Sequence, residues 1–193
     1  MFKIILASVL ISLFSTSTSA EPEDWYMTFN LGPANNTNPA SVENVIVSSE
    51  NTYATSRLSL AAEIGLYWPV YDSSTLVGVV SNSSSDSVSN YYGANIVTHS
   101  ASHVGISAIK YLTASVGDGL FVRADLGSAR SVYTLFNNTF GVENGTGTAV
   151  LVGAGYSLPV SSESRLVFSL NFVNRTINNE VHSSTQFMIG GLW

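Results

Sequence analysis

The stretch "EVHSS" sets Glu180, His182 and Ser184 at every second position. On an extended chain such residues share one face. A serine near a histidine, with a carboxylate to orient it, is the raw material of nucleophilic catalysis. His99 and His103 also share a face if extended, but four residues span about 13 Å. That is too far for two ligands of one ion, so no metal site is expected. Arg57, Glu63, Arg123, Asp125 and Arg165 fall on the polar parity of their segments. Such a set either conducts ions through a narrow lumen or neutralises itself within a filled one.

The elements that must position these residues follow from the period of the apolar ones. "DWYMTFNLG" alternates Trp25, Met27, Phe29 and Leu31 with Tyr26, Thr28 and Asn30. "SRLSLAAEIGLYW" alternates Leu58, Leu60, Ala62, Ile64, Leu66 and Trp68 with Arg57, Ser59, Glu63 and Tyr67. "GLFVRADLG", "GTAVLVGAGYSL", "RLVFSLNFV" and "QFMIGGLW" repeat the pattern. A period of two is the signature of strands with one apolar face. Strands are expected near 24–32, 56–68, 74–82, 96–110, 118–128, 147–158, 164–174 and 182–193. The third and fourth leave their register open, because "STLVGVVSN" is apolar on both parities.

Composition says what lies outside these strands. Charged residues make up 10% of the chain, against about 25% in soluble domains, so the surface suits lipid better than water. The net charge of −6 argues against nucleic acid as a partner, because a phosphate-binding surface needs clustered cations. There are no cysteines, hence no disulfide framework and no thiolate metal site. "MFKIILASVLISLF", followed by small residues, has the layout of a secretory signal peptide. The expected organisation is a signal peptide over 1–20 and one domain over 21–193. No later segment is apolar for the roughly 20 residues a spanning helix needs. A lipid-exposed chain without such helices must close into a β-barrel to satisfy its backbone.

Charge position orients the barrel. Each of Arg57, Arg123 and Arg165 would cost roughly 2–4 kcal/mol facing mid-bilayer. The polar parity therefore faces inward, the reverse of a soluble lipocalin-type barrel. Connections are expected to alternate. Long polar loops, such as "PANNTNPASVENVIVSSENTYAT", "SSSDSVSNYYGA", "ARSVYTLFNNTFGVENGT" and "RTINNEV", follow the odd strands, and short turns such as "PVYDSS" and "PVSSES" follow the even ones.

With these features together, the chain resembles the small OmpA/OmpX-type outer-membrane β-barrels of Gram-negative bacteria. The resemblance implies an all-β fold, an antiparallel up-and-down transmembrane barrel of eight strands. It also implies an assembly signal in the last strand, here Phe187, Ile189 and Trp193, read by the barrel assembly machinery. Gly191 departs from that pattern, where a bulkier residue is usual. Trp25, Trp68 and Tyr156 stand where an aromatic girdle is expected. The implied partners are outer-membrane lipids and lipopolysaccharide, and the implied state is a monomer without cofactor.

His182 and Ser184, with Glu180, are similar to the His-x-Ser arrangement of lipid A deacylases, but their parity points to the lumen. The expectation is therefore a non-enzymatic barrel with long outer loops, for surface interaction or envelope integrity. The alternatives are a narrow porin-like channel for small solutes and a lipid A-modifying enzyme.

Overall fold

The structure, a computed structural model, describes residues 25–53, 56–70, 74–89, 95–113, 115–135 and 140–193. The expected signal peptide lies outside these residues. The strands are β1 (Tyr26–Thr37), β2 (Ser56–Pro69), β3 (Thr75–Ser89), β4 (Asn95–Tyr111), β5 (Gly119–Leu135), β6 (Phe140–Pro159), β7 (Arg165–Ile177) and β8 (Glu180–Leu192), with one helix, α1 (Ala40–Tyr53), between β1 and β2. Each strand pairs antiparallel with its neighbour, and β1 closes on β8.

The register fixes the barrel's shape. From Met27 the partners run through Leu66, Val79, Ile106, Leu126, Val150, Asn174 and Ser183, and return to β1 at Thr37, ten residues on. That stagger tilts the strands about 40° from the axis, and eight of them enclose a lumen that side chains can fill. It also decides which inward residues share a layer.

The two surfaces follow the alternation. Leu58, Leu60, Ile64, Val77, Val79, Val104, Ile106, Leu126, Val150, Val152 and Phe172 are all exposed. In water such a surface would be a contiguous apolar patch of a size seen at interfaces. In a bilayer it is the lipid-facing band of a transmembrane barrel. Inside, Asn30, Glu63, Asn82, Asp86, Arg123, Asp125, Asn171 and Arg175 are buried. The register that the sequence leaves open in β3 and β4 is settled: Val77 and Val79 face out opposite Ala108 and Ile106.

The long loops are corrected. Strand β3 continues to Ser89, β5 to Leu135, and β6 begins at Phe140, so much of two expected loops is hairpin. "RTINNEV" is mostly strand, with a two-residue turn at Asn178 (φ 51°) and Asn179 (φ 66°). Paired positive φ is the type I′ geometry that suits the twist of a hairpin, and asparagine tolerates it. These extensions escape a hydrophobicity test because their outward residues, Ser83, Ser85 and Ser87 among them, are as polar as the inward Ser84 and Asp86. Backbone pairing continues past the point where lipid would demand an apolar face.

The first expected loop is also corrected, to a helix. The Pro39 carbonyl accepts from the Glu43 amide at 2.9 Å and begins α1, and Glu43 in the first turn complements the helix dipole. Val42 and Ile46, one turn apart, are buried against Val88 and Val97, with Tyr133 alongside. The helix thus closes one mouth of the barrel. The short turns β2–β3, β4–β5 and β6–β7 mark the opposite end.

Candidate functional site

The lumen is built in layers, each supplied by several strands at positions the stagger brings level. At the short-turn end Tyr67, Leu76, Ile109, Tyr111, Phe121, Val167 and Leu192 pack into an apolar floor. The Tyr67 and Tyr111 hydroxyls find Ser107 and Ser157, each at 3.2 Å.

Above the floor lies an ionic layer. Arg123 grips Asp125 with two bonds, Nε to Oδ1 at 2.9 Å and Nη2 to Oδ2 at 2.6 Å, and Glu63 Oε1 with Nη1 at 2.5 Å. The fork geometry of guanidinium matches a carboxylate in this bidentate way. Asn30 donates to Glu63 Oε1 at 2.9 Å, and Asn82 to Oε2 at 3.1 Å. Every member is buried, so the layer is stable only because its charges are paired and its lone pairs filled.

Asn82 carries the network upward. Its side-chain amide also donates to Gln186 at 2.9 Å, and its Oδ1 accepts from Arg175 Nη2 at 2.7 Å. At the mouth a second ionic group ties the helix down. Arg57 bonds Glu43 of α1 at 2.7 Å and Asp86 of β3 at 2.9 Å. Asp86 accepts further from Ser59 at 2.5 Å, Asn36 at 3.0 Å and Asn38 at 2.7 Å, and Ser41 of the helix donates to Glu180.

The five charged residues grouped by parity thus divide three ways. Glu63, Arg123 and Asp125 form one cluster; Arg57 lies apart from it at the mouth, paired with Glu43 and Asp86. Arg165 lies at the β6–β7 turn, where its Nη1 donates to the carbonyls of Ser161, Ser162 and Ser164. Glu43, Asp86 and Arg175 escape the sequence reading because their segments read as loop. The spacing of Val42 and Ile46 on one helical face was the available signal for the first.

His182 and Ser184 both point into the lumen and are buried. No hydrogen bond joins them among the described residues; Ser184 Oγ accepts from Gln186 at 3.4 Å, while Glu180 turns to Ser41. The three do not assemble into a relay. His103 Nε2 approaches Asp125 Oδ2 at 3.8 Å, and His99 instead stacks on His182 with ring centroids 5.4 Å apart.

Trp25, Trp68 and Tyr156 are exposed at the short-turn end. Trp193 joins them, exchanging two backbone bonds with Met27 at 2.8 and 3.0 Å. Phe187 and Ile189 face outward on the same strand. Gly191 has a local reason: a Cβ there would stand 2.5 Å from the Trp193 indole, which lies over it.

No family model matches the chain, and no curated protein matches it by sequence. Among solved structures it is similar to neisserial surface protein A, NspA, at 13% identity and a TM-score of 0.60, covering 88% of this chain and 96% of that one. It is also similar to Ail, the attachment invasion locus protein of Yersinia pestis, in complex with the heparin analogue sucrose octasulfate. There the identity is 8%, the TM-score 0.51, and the coverage 89% and 100%. At such identities the likeness is one of fold. The fold is that of the eight-stranded outer-membrane barrels, as the resemblance implied.

Proposed function

We propose that this protein is a non-enzymatic barrel of a Gram-negative outer membrane, serving surface contact or envelope integrity through its helix end. The observation that carries the reading is the change along the outward face. Val77 and Val79 of β3 give way to Ser81, Ser83, Ser85 and Ser87, and Val104 of β4 gives way to Ser102, Ser100 and Thr98. The strands run on past the apolar band, so their ends project into water as a hydrogen-bonding sheet. Outer-membrane barrels keep short turns on the periplasmic side, which sets this sheet and α1 outside the cell. Assembly would proceed through Phe187, Ile189 and Trp193, with membrane lipid and lipopolysaccharide around a single barrel.

The chemistry of the projecting face favours a neutral partner. The outward face of these extensions is mostly uncharged, with Arg130 exposed on β5, and the net charge is −6. Ail of Yersinia pestis has been crystallised with a heparin analogue, but a polyanion would find little to hold here. Hydroxyl and amide groups suit a glycan or an uncharged protein surface.

A channel would have to pass the apolar floor, the Arg123 layer and the α1 cap, and a lipid A-modifying enzyme would need its nucleophile on the lipid side. The absence of native cysteine makes a clean test. Ser100→Cys should react with a membrane-impermeant maleimide on intact cells, and Asp118→Cys in the β4–β5 turn should react only after lysis. The opposite labelling would reverse the orientation. Single-channel conductance or an altered lipid A acyl pattern would replace the reading with one of its alternatives.

A further inference from the structure

Three buried or half-buried arginines reach into the lumen above the floor, and they are not treated alike. Arg123 has two carboxylates and Arg57 has two. Arg175 has none within 4 Å among the described residues, although it is only 1% exposed. Its Nη1 donates to Ser84 Oγ at 3.1 Å and its Nη2 to Asn82 Oδ1 at 2.7 Å, both neutral groups. Its Nε meets no acceptor among the described residues. A buried charge without a counter-charge is among the most expensive arrangements a protein holds.

The neighbours share the same deficit. His182 is the register partner of Arg175 across β7 and β8, and its Nδ1 is buried with no hydrogen-bond partner among the described residues. His99, stacked on His182, has a buried Nε2 in the same condition. A neutral imidazole carries its proton on either ring nitrogen. With the proton placed on Nδ1 of His182 and Nε2 of His99, both atoms become donors. Arg175 and its register partner His182, with the ring stacked on it, then carry one full positive charge and three N–H groups that find no acceptor among the described residues. The carboxylates nearest in sequence and layer are engaged elsewhere, Asp86 by Arg57, Ser59, Asn36 and Asn38, and Glu180 by Ser41.

We propose that Arg175, His182 and His99 form a lumenal site for a small inorganic anion of halide size. A dehydrated anion beside the Arg175 guanidinium supplies the counter-charge that Arg123 and Arg57 obtain from carboxylates. Small size follows from burial: Arg175, His99 and His182 are all buried, above the Asn82–Gln186 pair, with the two imidazole rings stacked on each other.

Chloride and bromide serve as probes on the purified, folded full barrel in detergent. Thermal unfolding is compared in sodium chloride and sodium gluconate at equal ionic strength. The midpoint should be several degrees higher in chloride, the difference vanishing in Arg175→Gln and shrinking in His182→Gln. Crystals grown in bromide should show an anomalous peak beside the Arg175 guanidinium. No difference between the salts, or one retained in Arg175→Gln, overturns the proposal by assigning any salt effect to the surface. If the variant does not fold, the bromide data on the unaltered protein decide: a peak at Arg175 supports the site, and water alone there, or a peak elsewhere, refutes it.

Discussion

The lower and upper halves of this barrel solve the same problem of closure by opposite means. Toward the short turns the outside is apolar and the inside is sealed by Tyr67, Leu76, Phe121 and Leu192, beneath an ionic layer whose charges are all contacted. Toward the helix the outside is serine and threonine, and the inside is sealed by a separate element, α1, held by Val42 and Ile46, by the Arg57–Glu43 pair and by the bond from Ser41 to Glu180. The buried residues that seal the lower half all belong to the strands, so opening it would mean taking the sheet apart. The upper half is closed by a part that is joined to the barrel through few contacts. Local stability in proteins follows the density of such contacts, so the helix end is expected to open first.

The largest expected effect tests the lower half. Arg123→Met leaves Glu63 and Asp125 buried side by side without a cation, and should cost on the order of 3–5 kcal/mol. Urea unfolding in lipid vesicles measures it. The triple change to Glu63→Gln, Arg123→Met and Asp125→Asn should cost less than the single one. If the single variant unfolds like the parent, the ionic layer is not what holds the lower half.

The boundary between the halves comes next. Val79→Arg places a charge in the band, opposite Leu66 and Ile106, and should cost about 2–4 kcal/mol; Ser100→Arg, beyond the band, should cost about 0–1. Equal losses in a vesicle folding assay would mean that the band extends farther up β4 than its side chains indicate. The smallest effect belongs to the upper rim. Asn178→Ala puts a poorly suited residue at φ 51° and should lose about 1 kcal/mol, while Asn178→Gly should lose little. A larger loss in the glycine variant would show that the asparagine side chain, not the backbone, matters at the turn.

Much of the lower half was legible because lipid imposes a strict rule. Every outward position in the band must be apolar, so the alternation through Leu58 to Trp68 or Leu120 to Leu126 reads as strand and gives its facing. The same rule put Arg123, Asp125 and Glu63 inside. Beyond the band the rule lapses, and Ser83 to Ser89 carries no alternation to read. The helix went unread for a related reason: "ASVENVIVSSENTY" is a polar stretch in which only Val42 and Ile46 seat against the barrel, while Val45 and Val47 are exposed.

By itself the sequence determined the barrel, its inward and outward parities, and the lipid band, because these depend on a period of two and the cost of charge in hydrocarbon. Which inward residues meet was decided only by the tertiary structure. The ten-residue stagger sets Arg123 beside Glu63, sixty positions away, and sends Arg57 to the helix and Arg165 to a turn. It also leaves Arg175 among neutral groups. Parity along one strand names a face, but a layer in a tilted barrel is drawn from several strands at different heights, and only closure of the sheet sets those heights.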